Sequence, residues 1–75
     1  MERRIIELAA SAIHVTPNEA AKHFKEVPEI NGWYFWSPER GGLSVLINSN
    51  GEKLAATSAV LFDKHLKAFC AGKRN

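Results

Sequence analysis

Polar residues Arg3, Arg4, Glu7, Ser11 and His14 recur at helical spacing, and Ile5, Ile6, Leu8, Ala9, Ala12 and Ile13 fill the face between them. The spacing predicts an amphipathic helix over residues 2–13. Thr16-Pro17-Asn18-Glu19 then reads as a helix start. The Thr16 hydroxyl can accept from the Glu19 N–H while the Glu19 carboxylate reaches back to the Thr16 N–H. Pro17 sits at the first helical position, where its missing N–H costs nothing. This second helix is expected to run to Val27 and stop before Pro28, with Ala20, Phe24 and Val27 as its buried stripe.

After a loop over Pro28–Gly32 the period changes. Trp33-Tyr34-Phe35-Trp36 is strand-forming, and Pro38-Glu39-Arg40-Gly41-Gly42 closes it. Leu43–Ser49 is a second strand. Asn50-Gly51 suggests a two-residue type I′ turn, because both positions then need positive φ. A third strand follows from Glu52 to about Ser58. Phe62, Leu66, Phe69 and Cys70 at i, i+4, i+7 and i+8 make the buried face of a last helix, which Gly72 can end in the left-handed conformation. The expected architecture is one small α+β domain over residues 1–75. It has two N-terminal helices, a three-stranded antiparallel meander and a C-terminal helix, in the order α-α-β-β-β-α.

The turn dictates which side chains share a face. A two-residue loop pairs Ile47 with Leu54, Val45 with Ala56 and Leu43 with Ser58. Leu43, Val45, Ile47, Leu54 and Ala56 then form a core face, opposite Ser44, Leu46, Asn48, Lys53, Ala55 and Thr57. A five-residue Pro38–Gly42 loop sets Phe35 against Val45 and Trp33 against Ile47 on the core face. Tyr34 and Trp36 fall beside Leu46 and Ser44 on the half-polar one. Four consecutive aromatics in a strand divide two and two whatever the register. The half-polar face therefore carries two rings, each able to bury about 150–250 Å². The N-terminal helix, a second copy of the chain, or a different ligand are the three candidates to cover it.

Composition narrows the class. Of 75 residues, 45% are hydrophobic and 24% charged, enough apolar surface to exclude a disordered, collagen-like or low-complexity chain. A chain this short buries only about 60–65% of its unfolded surface. With Cys70 as the single cysteine no internal disulfide can add to its stability, which leaves self-association as another way to bury surface. The opening MERRIIELAASAIH has the two arginines and apolar run of a signal peptide, but Glu7 and Ser11 interrupt the run. It reads as a structural helix. No membrane span is expected, and a cytoplasmic location is the default expectation.

The net charge is +2, with ten basic and eight acidic residues. Residues 1–57 carry six basic and seven acidic side chains, whereas residues 58–75 carry Lys64, Lys67, Lys73 and Arg74 against Asp63. These four cations are the candidate anion-binding residues, although basic residues at a helix C-terminus are also favoured by the helix dipole alone. His14, His23, His65 and Cys70 lack zinc-site spacing, so no metal is expected. His65 lies about 140° around the helix from Cys70, too far to activate it as a nucleophile, and Cys70 is expected as a buried, inert thiol. No P-loop, nucleophile elbow or dinucleotide fingerprint occurs. No cofactor is called for, and the chain reads as non-enzymatic.

The closing α-β-β-β-α order resembles that of double-stranded-RNA-binding domains, which are of similar length. That family carries a dense lysine cluster at the start of its last helix. Leu61-Phe62-Asp63-Lys64-His65 offers one lysine and an acid, so no activity is carried over and no family is assigned. The expected function is a small protein-interaction module, working on a protein partner or as a homodimer, through Tyr34, Trp36 and Leu46 with Arg40 and Lys53 at the sheet's edges. The alternative is nucleic-acid binding through the same aromatics, with Arg40, Lys53 and the basic C-terminal residues supplying charge.

Overall fold

A computed structural model describes residues 2–39, 41–57 and 59–75. The N-terminal helix α1 spans Arg3–Ile13 and buries Ile5, Ala9 and Ile13 of the expected face together with Ala10, which was not part of it, while Ile6, Leu8 and Ala12 are only partly buried at its margins. It ends at His14, whose left-handed backbone (φ 59) turns its N–H onto the Ala10 and Ser11 carbonyls.

The second helix departs from expectation. Helix α2 spans only Pro17–Ala20, with Thr16 Oγ1 accepting from the Glu19 N–H at 3.2 Å as expected. The Glu19 carboxylate lies against His23 Nε2 (3.8 Å) and Lys22 Nζ (4.0 Å). Phe24–Val27 is not helical but a strand, β1, followed by a 3-10 turn at Pro28–Ile30. Two causes act together. Pro28 disfavours the helical conformation for Val27, which is extended (φ −128, ψ 87). The edge of the next strand also offers backbone partners over the whole of Phe24–Val27. Phe24 and Val27, three apart, look like a helical stripe; here they lie on opposite faces of a sheet that is covered on both sides.

Strands β2 (Gly32–Trp36), β3 (Leu43–Asn48) and β4 (Lys53–Thr57) continue the sheet in the order β1-β2-β3-β4, every neighbouring pair antiparallel. The class is α+β, with four strands rather than three. The α-β-β-β-α order is therefore not the order of this fold. Between β2 and β3 the register is as expected, Trp33 opposite Ile47 and Phe35 opposite Val45.

Between β3 and β4 it is shifted by one residue: Leu46 faces Leu54, Val45 faces Ala55 and Ile47 faces Lys53. The loop has three residues, not two. The Gly51 N–H bonds the Asn48 carbonyl and the Asn48 N–H bonds the Glu52 carbonyl, both at 3.0 Å. Gly51 is left-handed (φ 87), whereas Asn50 is not among the described residues with positive φ, so the type I′ geometry is excluded. The Asn48 side chain secures the arrangement. Its Oδ1 accepts from the N–H groups of Asn50 and Glu52 at 3.0 Å, and its Nδ2 donates to Glu52 Oε1 at 2.9 Å.

One residue of slip turns every β4 side chain over. Leu54 joins Leu46, while Lys53 and Ala55 join Ile47 and Val45. The expected core pairing of Leu54 and Ala56 with Ile47 and Val45 is thereby corrected; the expected Leu43–Ser58 pair is replaced by Leu43–Thr57, and Ser58 lies outside the described residues.

The C-terminal helix α3 spans Phe62–Cys70. Helices α1 and α3 cover opposite faces of the sheet. Ile5, Ala9, Ala10 and Ile13 of α1 pack with Phe35, Val45 and Ile47, against which Trp33, Leu43 and Ala55 lie. Phe69 of α3 packs with Val27 and Leu46, joined by Tyr34, Leu54, Phe62 and Leu66. Gly72 ends α3 as expected, with φ 98 and the paired bonds Lys73 N–H to Ala68 O (3.1 Å) and Gly72 N–H to Phe69 O (3.0 Å).

Ser44, central on the α3 side, is 1% exposed and its hydroxyl has no hydrogen-bond partner. A buried, unpaired hydroxyl costs stability that an alanine does not. Ser44→Ala is expected to raise unfolding free energy by about 1 kcal/mol, read from the urea midpoint; a fall of that size would show that the hydroxyl is bonded.

Candidate functional site

Tyr34 and Trp36 project from β2 onto the α3 side of the sheet, where α3 lies chiefly over β3 and β4. Their rings are half-buried, 5.8 Å apart between centroids. The edge of Tyr34 meets Phe62 at 4.9 Å and His65 at 5.9 Å, and His23 leans over Trp36 at 6.2 Å. Lys25, exposed on β1, sets its amine 3.9 Å above the Phe62 ring and 5.7 Å from Tyr34. The result is a ring cluster on the β1 side of the molecule, flanked by one cation.

His23, Lys25 and Phe62 belong to this cluster but are not among the contact residues expected from sequence. The signal for the first two was their alternation with Phe24. It is readable only once residues 24–27 are known to be a strand, because period-2 placement puts Lys25 beside Tyr34.

The other expected contact residues go elsewhere. Leu46 is fully buried beneath α3 with Val27 and Phe69, which corrects its assignment to an accessible surface. A half-polar strand face leaves room for a second covering helix, and α3 occupies it. Lys53 is turned to the α1 side by the register slip, so it does not share a face with Tyr34 and Trp36; its amine donates to the Asn75 carbonyl at 3.0 Å. Arg40 lies outside the described residues.

The basic C-terminal residues differ in their settings. Lys64 and Lys67 are exposed one turn apart on α3, and Lys73 is exposed beyond it. Arg74 stacks its guanidinium 3.7 Å over Phe69 and donates to the Phe69 carbonyl (2.6 Å) and the Lys73 carbonyl (2.7 Å). Its charge thus caps the negative end of α3.

Cys70 is exposed rather than buried. His65 takes a place on the inward flank of α3 with Phe62, Leu66 and Phe69, so Cys70 falls about 90° from the centre of the buried stripe. His65 is 1% exposed, and its Nε2 lies 2.6 Å from the Leu54 carbonyl. A carbonyl only accepts, so Nε2 carries the proton; Nδ1 has no partner. His65 is a packed core residue against Tyr34.

A cleft of about 380 Å³ opens between the 3-10 turn and the end of α3, lined by Glu29, Asn31, Asn48, Cys70 and Arg74. Another of about 330 Å³ lies between His14, Glu19 and Glu39. Neither includes Tyr34 or Trp36. Among the described residues, no three of His, Cys, Asp and Glu gather to hold a metal, and no helix is long and apolar enough to cross a membrane. Comparison with protein-family models, curated proteins and solved structures found no match for this chain.

Proposed function

We propose that the protein is a small non-enzymatic interaction module that self-associates through the β1–β2 side of its sheet. The observation that carries this reading is the ring cluster of Trp36, Tyr34 and Phe62, which the helix covering that face leaves half-exposed. Large rings that are partly dry and partly accessible are favoured contact residues, because they bury much area while losing little side-chain freedom. Phe24, 38% exposed on the neighbouring strand, presents a further ring at the same sheet edge but on the opposite, α1 face, where it stacks on Phe35.

Nucleic-acid binding has one observation in its favour, the Lys25 amine laid beside the rings. The other cations proposed for it lend less. Lys53 is on the opposite face of the sheet, and the Arg74 guanidinium is engaged at the end of α3.

The test is molar mass by light scattering from low micromolar to near-millimolar concentration. The expected result is a rise from 8.3 kDa towards twice that value. Trp36→Ser is expected to raise the dissociation constant about tenfold, the loss of a contact worth ~1.4 kcal/mol. A chain that stays monomeric throughout overturns the reading. Saturable binding of a short oligonucleotide at low salt, weakening steeply as salt is added, would favour the alternative.

A further inference from the structure

Strand β4 ends the sheet order, and its outer edge is met by a residue that belongs to no strand. Asn48 and Glu52 close the β3–β4 hairpin as a bonded pair, the Asn48 N–H on the Glu52 carbonyl at 3.0 Å. Antiparallel alternation from that pair turns the backbone groups of Leu54 and Ala56 towards β3. Those of Lys53, Ala55 and Thr57 point outward from the sheet.

Four of these outward groups have partners within the chain. The Thr57 carbonyl accepts from the Val60 N–H, and the Lys53 carbonyl from the Asn75 N–H, both at 3.0 Å. The Asn75 side chain takes both groups of Ala55, its Oδ1 accepting from the N–H at 2.9 Å and its Nδ2 donating to the carbonyl at 3.0 Å. A primary amide holds acceptor and donor side by side, so it meets the N–H and C=O of one extended residue as a neighbouring strand would.

The tail that carries Asn75 is tied down along its length. Gly72 (φ 98) turns the chain at the end of α3, and Arg74 lays its guanidinium over Phe69 while donating to the Phe69 carbonyl. The Lys53 amine donates to the Asn75 carbonyl at 3.0 Å. Lys73, Arg74 and Asn75 are nonetheless exposed, and exposed hydrogen bonds of this kind open at low free-energy cost.

We propose that residues 72–75 form a strap that closes the β4 edge to strand addition, with Asn75 standing in for a strand residue. An uncovered edge offers its N–H and C=O groups as a template, and addition of an extended peptide to such an edge is a common mode of recognition. The strap withholds the template, because an incoming strand must first displace Asn75 from Ala55. In a solution of the pure protein the strand that can arrive is β4 of another copy. Symmetric pairing centred on Ala55 sets Lys53 opposite Thr57, so no like charges meet. The proposal stands on this contact and is independent of the ring cluster.

The test combines amide exchange, resolved by nuclear magnetic resonance, with molar mass by light scattering. Asn75→Ala is expected to speed exchange at the Ala55 amide about tenfold, as the loss of its acceptor exposes it to water. The Leu54 and Ala56 amides, which face β3, are expected to keep the parent's rates and so report an intact fold. The variant's mass is expected to exceed the parent's at equal concentration, whatever the parent's own state of association. Lys73→Ala, on the same tail but with its side chain outside these contacts, is expected to match the parent in both readouts. Unchanged exchange at Ala55 in Asn75→Ala overturns the strap, and faster exchange with no gain in mass overturns its role as a guard. A monomeric parent overturns the self-association reading alone.

Discussion

Gly32→Ala is expected to cost about 3–5 kcal/mol, most or all of the stability of a chain this small. Gly32 opens β2, is buried, and lies between Val27 of β1 and Asn48 of β3. A β-carbon there would land on the Ile47 carbonyl oxygen and stand 2.6 Å from Asn48 Cα and 2.9 Å from the Ile47 carbonyl carbon. All three are backbone atoms of β3, so no side-chain rotation can relieve the overlap. Relief requires β2 and β3 to separate, and β3 is the strand on which α1 packs most extensively and from which the β4 hairpin hangs.

Overpacking a well-filled core with one added methylene typically costs about 1–3 kcal/mol when side chains can yield. A backbone that cannot yield puts this case above that range. The measurement is urea unfolding followed by tryptophan fluorescence and far-ultraviolet circular dichroism. A variant within 1 kcal/mol of the parent would overturn the close approach of these two strands.

Phe35→Ala is expected to lose a comparable amount, about 3–5 kcal/mol, by a different route. Phe35 has no exposed surface and lies in the cluster that joins α1 and α2 to the sheet, with Ile5, Ala9, Ile13, Ala20, Val45 and Ile47. Truncation forfeits the transfer free energy of the ring and leaves a cavity whose walls are held by a helix on one side and paired strands on the other. It also removes the surface on which Phe24 stacks. One truncated side chain changes little of the total surface exposed on unfolding, so the midpoint should fall with the denaturant slope nearly unchanged. A loss below 1 kcal/mol would show that the space is refilled by neighbours and that the two helices are not joined through this ring.

The two variants differ in how visible they are from sequence. Phe35 is legible, because four aromatics in a row must split between two faces and the loop length assigns Phe35 to the one shared with Val45 and Ile47. Gly32 reads as the end of a loop, since a glycine after Pro28-Glu29-Ile30-Asn31 has the chemistry of a turn. Its need for a bare α-carbon arises from an approach between strands that no local pattern records.

The candidate site divides in the same way. Tyr34 and Trp36 share a face by alternation alone, and the structure brings them together. Leu46 shares that face too, but alternation says only which side it is on, and α3 decides that it is covered. Lys53 is misplaced because a single hydrogen-bonded side chain, Asn48, holds the hairpin to a three-residue loop and inverts the strand beyond it.

By itself, then, the sequence determines what depends on neighbours along the chain: the α1 stripe, the Thr16 cap, the β2–β3 pairing, the face of α3 apart from its margins, and the left-handed Gly72. Periodicity and capping are local, and each is expressed within a few residues. Only the tertiary structure decides that residues 24–27 pair as a strand, that β4 turns its leucine to α3, and that α1 and α3 lie on opposite faces of the sheet. Those outcomes turn on small differences between local preferences, a turn of two residues or three, a short helix or an edge strand. They are settled by the larger free energy of pairing backbone groups and burying both faces of the sheet at once.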